Sequence, residues 1–312
     1  MNSGTELPLV VIVGPTASGK STLGVWLAQH LDGEVIACDS TQLYRGFDIG
    51  TAKPTKQERA GVPHHLLDVL DAPEETTAGA YRERAIGVLS DLRASNKLPI
   101  FTAGTGLYLR ALLEGFAEVP VRSEELRERL RAGAAEYGAG YLHRMLRKLD
   151  PVSAQKIAPA DEQKLIRAIE VCLLAKQPLS RVHQSGRTPL AGWRALKMGL
   201  TPGREALYQR IHDRTDAMLK LGWLDEVRGL MESGVPESAK PFDFIGYREL
   251  RKVLRGEMAI EQARAAIQQA TRRYAKRQLT WFRREAGVHW FDGFGDEVRI
   301  QQLALDEVRR RV

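Results

Sequence analysis

The chain has 312 residues, 43% of them hydrophobic and 27% charged, enough to bury a sizeable core in one large domain or two smaller ones. No apolar run approaches the roughly 20 residues that span a bilayer, and the opening MNSGTELPLVVIVG lacks the basic region and cleavage pattern of a signal peptide, so a cytoplasmic protein is expected. Cys38 and Cys172 are too few for a disulfide framework and lack the CxxC spacing of a zinc site, which leaves them as small core residues, while a net charge of +7 weakly favours a polyanionic partner.

In chain order, residues 9–13 read as a short apolar strand, followed by a glycine-bearing loop and a helical pattern through Leu23, Leu27 and Leu31. A second strand is expected at 34–38, ending at Asp39, and another at 98–102, stopped at Ala103-Gly104. Alternating strands and helices imply an α/β fold, with a parallel sheet covered on both faces. After about Glu118 the strand-like runs vanish, and LRERLRAG, YLHRMLRKL and KLIRAIEVCLL repeat apolar residues at helical spacing over 123–176. This predicts an all-helical insertion over 119–194 between two parts of a core domain, 1–118 and 195–312. The loop-forming stretch 184–192 precedes a returning strand at 195–200, and three more helices are expected near 204–221, 246–254 and 260–286.

Gly14-Pro15-Thr16-Ala17-Ser18-Gly19-Lys20-Ser21 fits GxxxxGK[ST] between a predicted strand and a predicted helix, the setting a phosphate-binding P-loop requires. Glycines let successive N–H groups turn toward phosphate oxygens, Lys20 supplies a point charge, and Ser21 offers its hydroxyl to Mg²⁺ at the helix N-terminus. Nucleotide-hydrolysing P-loop proteins place a carboxylate at the end of a further strand, but here the strand at 98–102 ends in Ala-Gly-Thr-Gly. The carboxylate stands instead at Asp39, at the C-terminal end of a strand, where open α/β sheets bind ligands. Asp39 is open to three readings: a water-mediated Mg²⁺ ligand, a general base, or a cap before Ser40. Near the end, TRRYAKRQLTWFRR at 271–284 mixes six Arg or Lys with Tyr274, Trp281 and Phe282, a combination suited to RNA phosphates and bases. Its cations are too closely spaced to share one helix face, and Leu279 and Trp281 read as anchors of the helix on the core.

The run Asp39-Ser-Thr-Gln-Leu-Tyr-Arg-Gly-Phe-Asp-Ile-Gly-Thr-Ala-Lys-Pro54 resembles the signature of tRNA dimethylallyltransferases. Further blocks agree in the family's order: Ala103-Gly-Thr-Gly-Leu-Tyr-Leu-Arg, Asp150-Pro151, Gln163-Lys-Leu-Ile-Arg-Ala-Ile-Glu-Val171, Ile245-Gly-Tyr-Arg-Glu-Leu250 and Tyr274-Ala-Lys-Arg-Gln-Leu-Thr-Trp281. The resemblance covers nearly the whole chain. Two departures are Ala103 before Gly104-Thr105, where the family more often has Gly, and Phe242-Asp-Phe244 before the Gly-Tyr-Arg motif, where smaller residues are common.

The resemblance implies transfer of a dimethylallyl group from its diphosphate to N6 of the adenine immediately 3′ of the anticodon, in tRNAs reading codons that begin with U. It assigns the P-loop, Gly14 to Ser21, to the diphosphate of an isoprenoid, with Mg²⁺ on Ser21. Asp39 becomes the general base, with Thr105 and Arg214 as further diphosphate contacts. Asp39, Ser40, Thr41 and Gln42 would meet the flipped-out adenine. Gln163, Lys164, Leu165, Ile166 and Arg167, with Gly246, Tyr247 and Arg248, would meet the anticodon stem-loop, and Arg273 and Arg277 are expected to track its backbone. A monomer is expected. Two other enzymes share the loop and the carboxylate, an adenylate isopentenyltransferase acting on a free nucleotide and an ATP-dependent small-molecule kinase. Neither needs the helical insertion or the basic aromatic helix.

Overall fold

The computed structural model describes residues 6–117, 119–182 and 186–312, so Glu118 and the residues at 184–185 of the expected loop lie outside the described residues. The chain divides into two compact units, 1–113 with 191–312, and 114–190.

The larger unit is built on six parallel strands, which lie across the sheet in the order 64–65, 33–38, 98–103, 7–13, 193–200 and 288–291. Strand β1 (Leu7–Val13) is central, and its residues from Leu9 onward are fully buried, as a strand covered on both faces must be. Helix α1 (Lys20–His30) follows the loop at 14–19 and returns the chain to β2 (Gly33–Cys38). A long connection carries α2 (Lys56–Arg59) and the two-residue β3 (His64–His65); α3 (Ala78–Ala94) then leads to β4 (Leu98–Ala103), which slots between β1 and β2. Helix α4 (Gly106–Glu114) closes this half. Cys38 and Cys172 are both buried free thiols, and burial pushes the Cys38 thiol up to about 12.

The smaller unit is helical: α5 (Glu124–Tyr137), α6 (Tyr141–Leu149), α7 (Pro151–Lys156), α8 (Glu162–Leu174) and α9 (Leu179–Val182). The expected helical stretch over 123–176 is interrupted three times, at 138–140, at Asp150 and at 157–161. Gly138 and Gly140 adopt positive φ and end one helix and begin the next, and Asp150-Pro151 restarts the chain as α7. Its core includes Leu146, Leu165, Ile166, Ile169 and Val171. Asp150 is fully buried and accepts from the backbone and hydroxyl of both Ser153 and Ser180, which ties α7 to α9.

The larger unit resumes with β5 (Trp193–Leu200), which pairs with β1 along its length, and α10 (Arg204–Lys220). Next come α11 (Trp223–Glu232), a 3₁₀ turn at Lys240–Asp243, α12 (Tyr247–Leu254) and α13 (Ile260–Phe282). Strand β6 (Val288–Phe291) adds the last edge and α14 (Val298–Arg311) packs on α1 and β5. Where three helices were expected after β5, the structure has five and a strand; α11, β6 and α14 are the additions. In the basic segment, Phe282 is fully buried, so it anchors α13 and cannot stack on a base.

Candidate active site

The carboxyl ends of β1, β2 and β4 bring the glycine-bearing loop from Gly14 to Ser21, Asp39 and the Gly104-Thr105 turn to one edge of the sheet, the place where parallel α/β sheets bind ligands. In the loop, Ala17 and Gly19 take positive φ of 66° and 85°, and Gly19 opens α1. A side chain on Gly19 would stand 2.8 Å from the backbone N of Gly295, whose N–H donates to the Ser18 carbonyl, so glycine is required there. Lys20 Nζ donates to the carbonyls of Gly14 at 3.0 Å and Pro15 at 2.8 Å.

Two cavities meet at Asp39. One, of about 570 Å³, is lined by Thr16 to Thr22 together with Asp39, Gln42, Arg210 and Arg214. The other, of about 310 Å³, is lined by Asp39, Ser40 and Thr41 and by the apolar side chains of Met218, Trp223, Phe244, Ile245 and Ile267, with Tyr274 and Arg277. Asp39 is oriented by Thr41, whose N–H and hydroxyl both donate to Oδ1, at 2.9 and 2.7 Å. Its Oδ2 lies against Gly104, where an added Cβ would come within 2.3 Å. Thr105, expected at the diphosphate, accepts from Ser40 N–H at 3.0 Å and so steadies the Asp39 loop. Gln42, expected at the base, spends its amide donor on the carbonyls of Thr51 and Ala52.

Positive charge gathers around the first cavity, where Arg210 is paired with Asp296 and Lys20 and Arg214 are not paired with a carboxylate among the described residues. Arg214 donates to the Thr16 hydroxyl at 2.6 Å. Burial lowers the Lys20 pKa to about 8, with Asp39 opposing and Arg214 reinforcing the shift; burial and then Arg210 lower that of Arg214 to about 10. Both cations would be relieved by an anion. A Mg²⁺ ion carried on phosphate oxygens needs only one or two protein ligands. The Ser21 hydroxyl, lining this cavity, fits that donor set, and no group of three or more His, Cys, Asp or Glu side chains cages a metal among the described residues.

The expected RNA contacts divide by face. Gln163 and Lys164 are exposed on α8, while Leu165 and Ile166 are core residues of the smaller unit, because five consecutive helical residues cannot face one partner. Arg167 binds the buried Glu170, which also holds Arg127, and donates to the Pro120 carbonyl. Tyr247 is fully buried; its hydroxyl donates to Glu226 at 2.6 Å and accepts from Gly50 N–H, so it supports the loop after Asp39 and meets no RNA. Gly246 holds a positive φ of 94° against the Trp223 ring, and Arg248 pairs with Glu249 at 2.7 Å. Arg273 and Arg277 are exposed on α13.

Three residues at the site escaped the sequence reading. Arg210 lies one turn before Arg214 on the same face of α10 and is held by Asp296, a spacing that could have flagged it. Asp296 sits in a short loop without a recognisable pattern. Gln278 bridges the P-loop and the Gly104 turn.

An IPP transferase family model matches residues 42–285, and an isopentenyl transferase model matches 7–71. A tRNA dimethylallyltransferase of Koribacter versatilis is 51% identical over 301 residues, covering 96% of this chain and 98% of the relative; that of Solibacter usitatus is 47% identical over 304 residues, covering 97% and 99%. Among solved structures, a eukaryotic dimethylallyltransferase acting on tRNA matches with a TM-score of 0.84 at 26% identity, over 98% of this chain and 80% of that one. The tRNA isopentenylpyrophosphate transferase of Bacillus halodurans matches with 0.71 at 37% identity, over 98% of each chain. With a family model over most of its length and relatives near half identical from end to end, the chain belongs to the IPP transferase family, that of the tRNA dimethylallyltransferases.

Proposed function

We propose that the chain transfers a dimethylallyl group from dimethylallyl diphosphate to N6 of the adenine immediately 3′ of the anticodon, in tRNAs reading codons that begin with U. The observation that carries the reading is Asp39, whose carboxylate lines both the cation-rich cavity and the more apolar one. The P-loop N–H groups, Lys20 and Arg214 hold the diphosphate. As the allylic C–O bond breaks, its electron pair leaves with pyrophosphate, and the growing negative charge meets cations already in place. Mg²⁺, held by Ser21, supplies further neutralisation of the diphosphate when bound. The N6 lone pair forms the new C–N bond and the N6 proton passes to Asp39; Oδ2 is the acceptor, since Oδ1 is engaged by Thr41. Met218, Phe244, Ile245 and Ile267 keep water from the allylic carbon. A monomer working in the cytoplasm belongs to the same reading, with the anticodon stem-loop as its polyanionic partner.

The test is to incubate unmodified tRNA with dimethylallyl diphosphate and Mg²⁺ and to look for prenylated adenosine by mass spectrometry. Asp39→Asn should lower turnover by about 10²- to 10⁴-fold, with tRNA affinity within about twofold of the parent. Near-normal turnover in that variant, or phosphate release from ATP without an isoprenoid, would sink the assignment.

A further inference from the structure

Gln278 stands on α13 and is 5% exposed. Its Oε1 accepts from the Thr16 N–H at 2.7 Å, and its Nε2 donates to the Gly104 carbonyl at 2.8 Å. The partners fix the orientation of the amide, because a backbone N–H only donates and a carbonyl only accepts. Thr16 is part of the phosphate loop, and Gly104 is the residue against which Asp39 Oδ2 rests. A single side chain thus spans the cradle for the leaving group and the backing of the base.

Its neighbours on the helix repeat the contact. Tyr274, one turn earlier, directs its hydroxyl to the same Gly104 carbonyl at 3.4 Å. Trp281, one turn later, lies over Gly106, where an added Cβ would come within 2.1 Å of the indole. Residues 274, 278 and 281 form one stripe of α13; Arg273 and Lys276 are exposed on its other faces, and Arg277, also exposed, borders the stripe with its guanidinium over the Tyr274 ring.

We propose that Gln278 is a positioning residue for prenyl transfer that couples RNA bound on the exposed cations of α13 to the shape of the diphosphate cradle and the placement of Asp39. The proposal rests on the function argued above. A rigid helix that is read by phosphates on one face and bonded to the catalytic loops on another transmits a displacement to both loops at once. Only an amide meets both bonds at neutral pH: an alkyl group makes neither, and a carboxylate sets an acceptor against the Gly104 carbonyl.

The test uses the full chain with Gln278→Leu and Gln278→Glu. Pyrophosphate binding is measured by calorimetry, with and without saturating anticodon stem-loop, alongside single-turnover prenyl transfer. In the parent, RNA should tighten pyrophosphate binding several-fold; in Gln278→Leu that factor should fall to about one, with transfer slowed about 100-fold and stem-loop affinity within about twofold. In Gln278→Glu the defect, taken as a ratio to the parent at each pH, should shrink as pH falls, because a protonated carboxyl again accepts from Thr16 and donates to Gly104. Asp39, Lys20, Tyr274, Arg210, Arg214, Asp213 and Asp296 face the same cavities, so the uncharged Gln278→Leu is followed over the same pH range as the reference for their titration. No coupling in the parent, a ratio flat with pH, or a Gln278→Leu defect that lowers stem-loop affinity as much as turnover would overturn the proposal. Calorimetry needs no turnover, so a chain that couples pyrophosphate to RNA through Gln278 yet prenylates nothing would overturn the function and leave the coupling standing.

Discussion

Lys20 gives the cleft a pH dependence with a definite sign. Its free-state pKa is lowered from 10.5 to about 8, chiefly by burial. A bound diphosphate favours the charged ammonium and raises that value, so binding above about pH 8 must take up a proton. Apparent pyrophosphate affinity should therefore be level below about pH 8 and fall by up to about tenfold per pH unit above it, a trend Lys20→Met should abolish in calorimetric titrations. A lysine pKa depressed by folding also means that the ligand-free protein gains stability as pH rises from 8 toward 10.5. The places of Lys20 and Asp39 beside one cavity were legible because one belongs to a loop motif and the other follows a strand end. Leu165, Ile166 and Tyr247 were not, because a motif block contains the inward residues of its helix as well as the outward ones, and one dimension does not separate them.

Among the elements, the buried parallel strands were legible as near-continuous apolar runs, and the observed β1, β2, β4 and β5 differ from the expected ranges by a residue or two at their ends. β3 and β6, at two and four residues, are too short for any pattern. α11 buries only Trp223 and Val227, which leaves little periodic signal. In the smaller unit, Asp150 holds the helix joints. Burial opposes its ionisation, but the four bonds from Ser153 and Ser180 outweigh this and keep its carboxyl below the usual range. A carboxyl depressed by folding stabilises above its unfolded pKa of about 3.9, and that contribution is lost as pH falls through the lower folded value. Asp150→Ala should cost about 2–4 kcal/mol, measured by thermal unfolding under circular dichroism, and the variant should lack this part of the parent's acid sensitivity.

At the scale of the whole molecule, the charge of +7 says little until it is located. Exposed Arg273 and Arg277 stand on the helix whose inner stripe bonds to the loops at Thr16 and Gly104, and Arg277 lines the apolar cavity. Arg273→Ala combined with Arg277→Ala should weaken tRNA binding and reduce its logarithmic salt slope by about 1.5, while pyrophosphate affinity without RNA stays unchanged. An unaltered slope would mean that the smaller unit alone holds the RNA.

The ends of the smaller unit are pinched together: Gly115 holds a positive φ of 71°, a Cβ on it would come 2.3 Å from the Thr188 carbonyl oxygen, and Glu114 pairs with Arg187. The two ends of the smaller unit are therefore neighbours, so the helical module is separable in the topological sense. Its excision leaves a gap that a short Gly-Ser linker closes. A chain lacking 116–187 should fold around its six strands and bind pyrophosphate as the parent does, while losing most of its hold on tRNA.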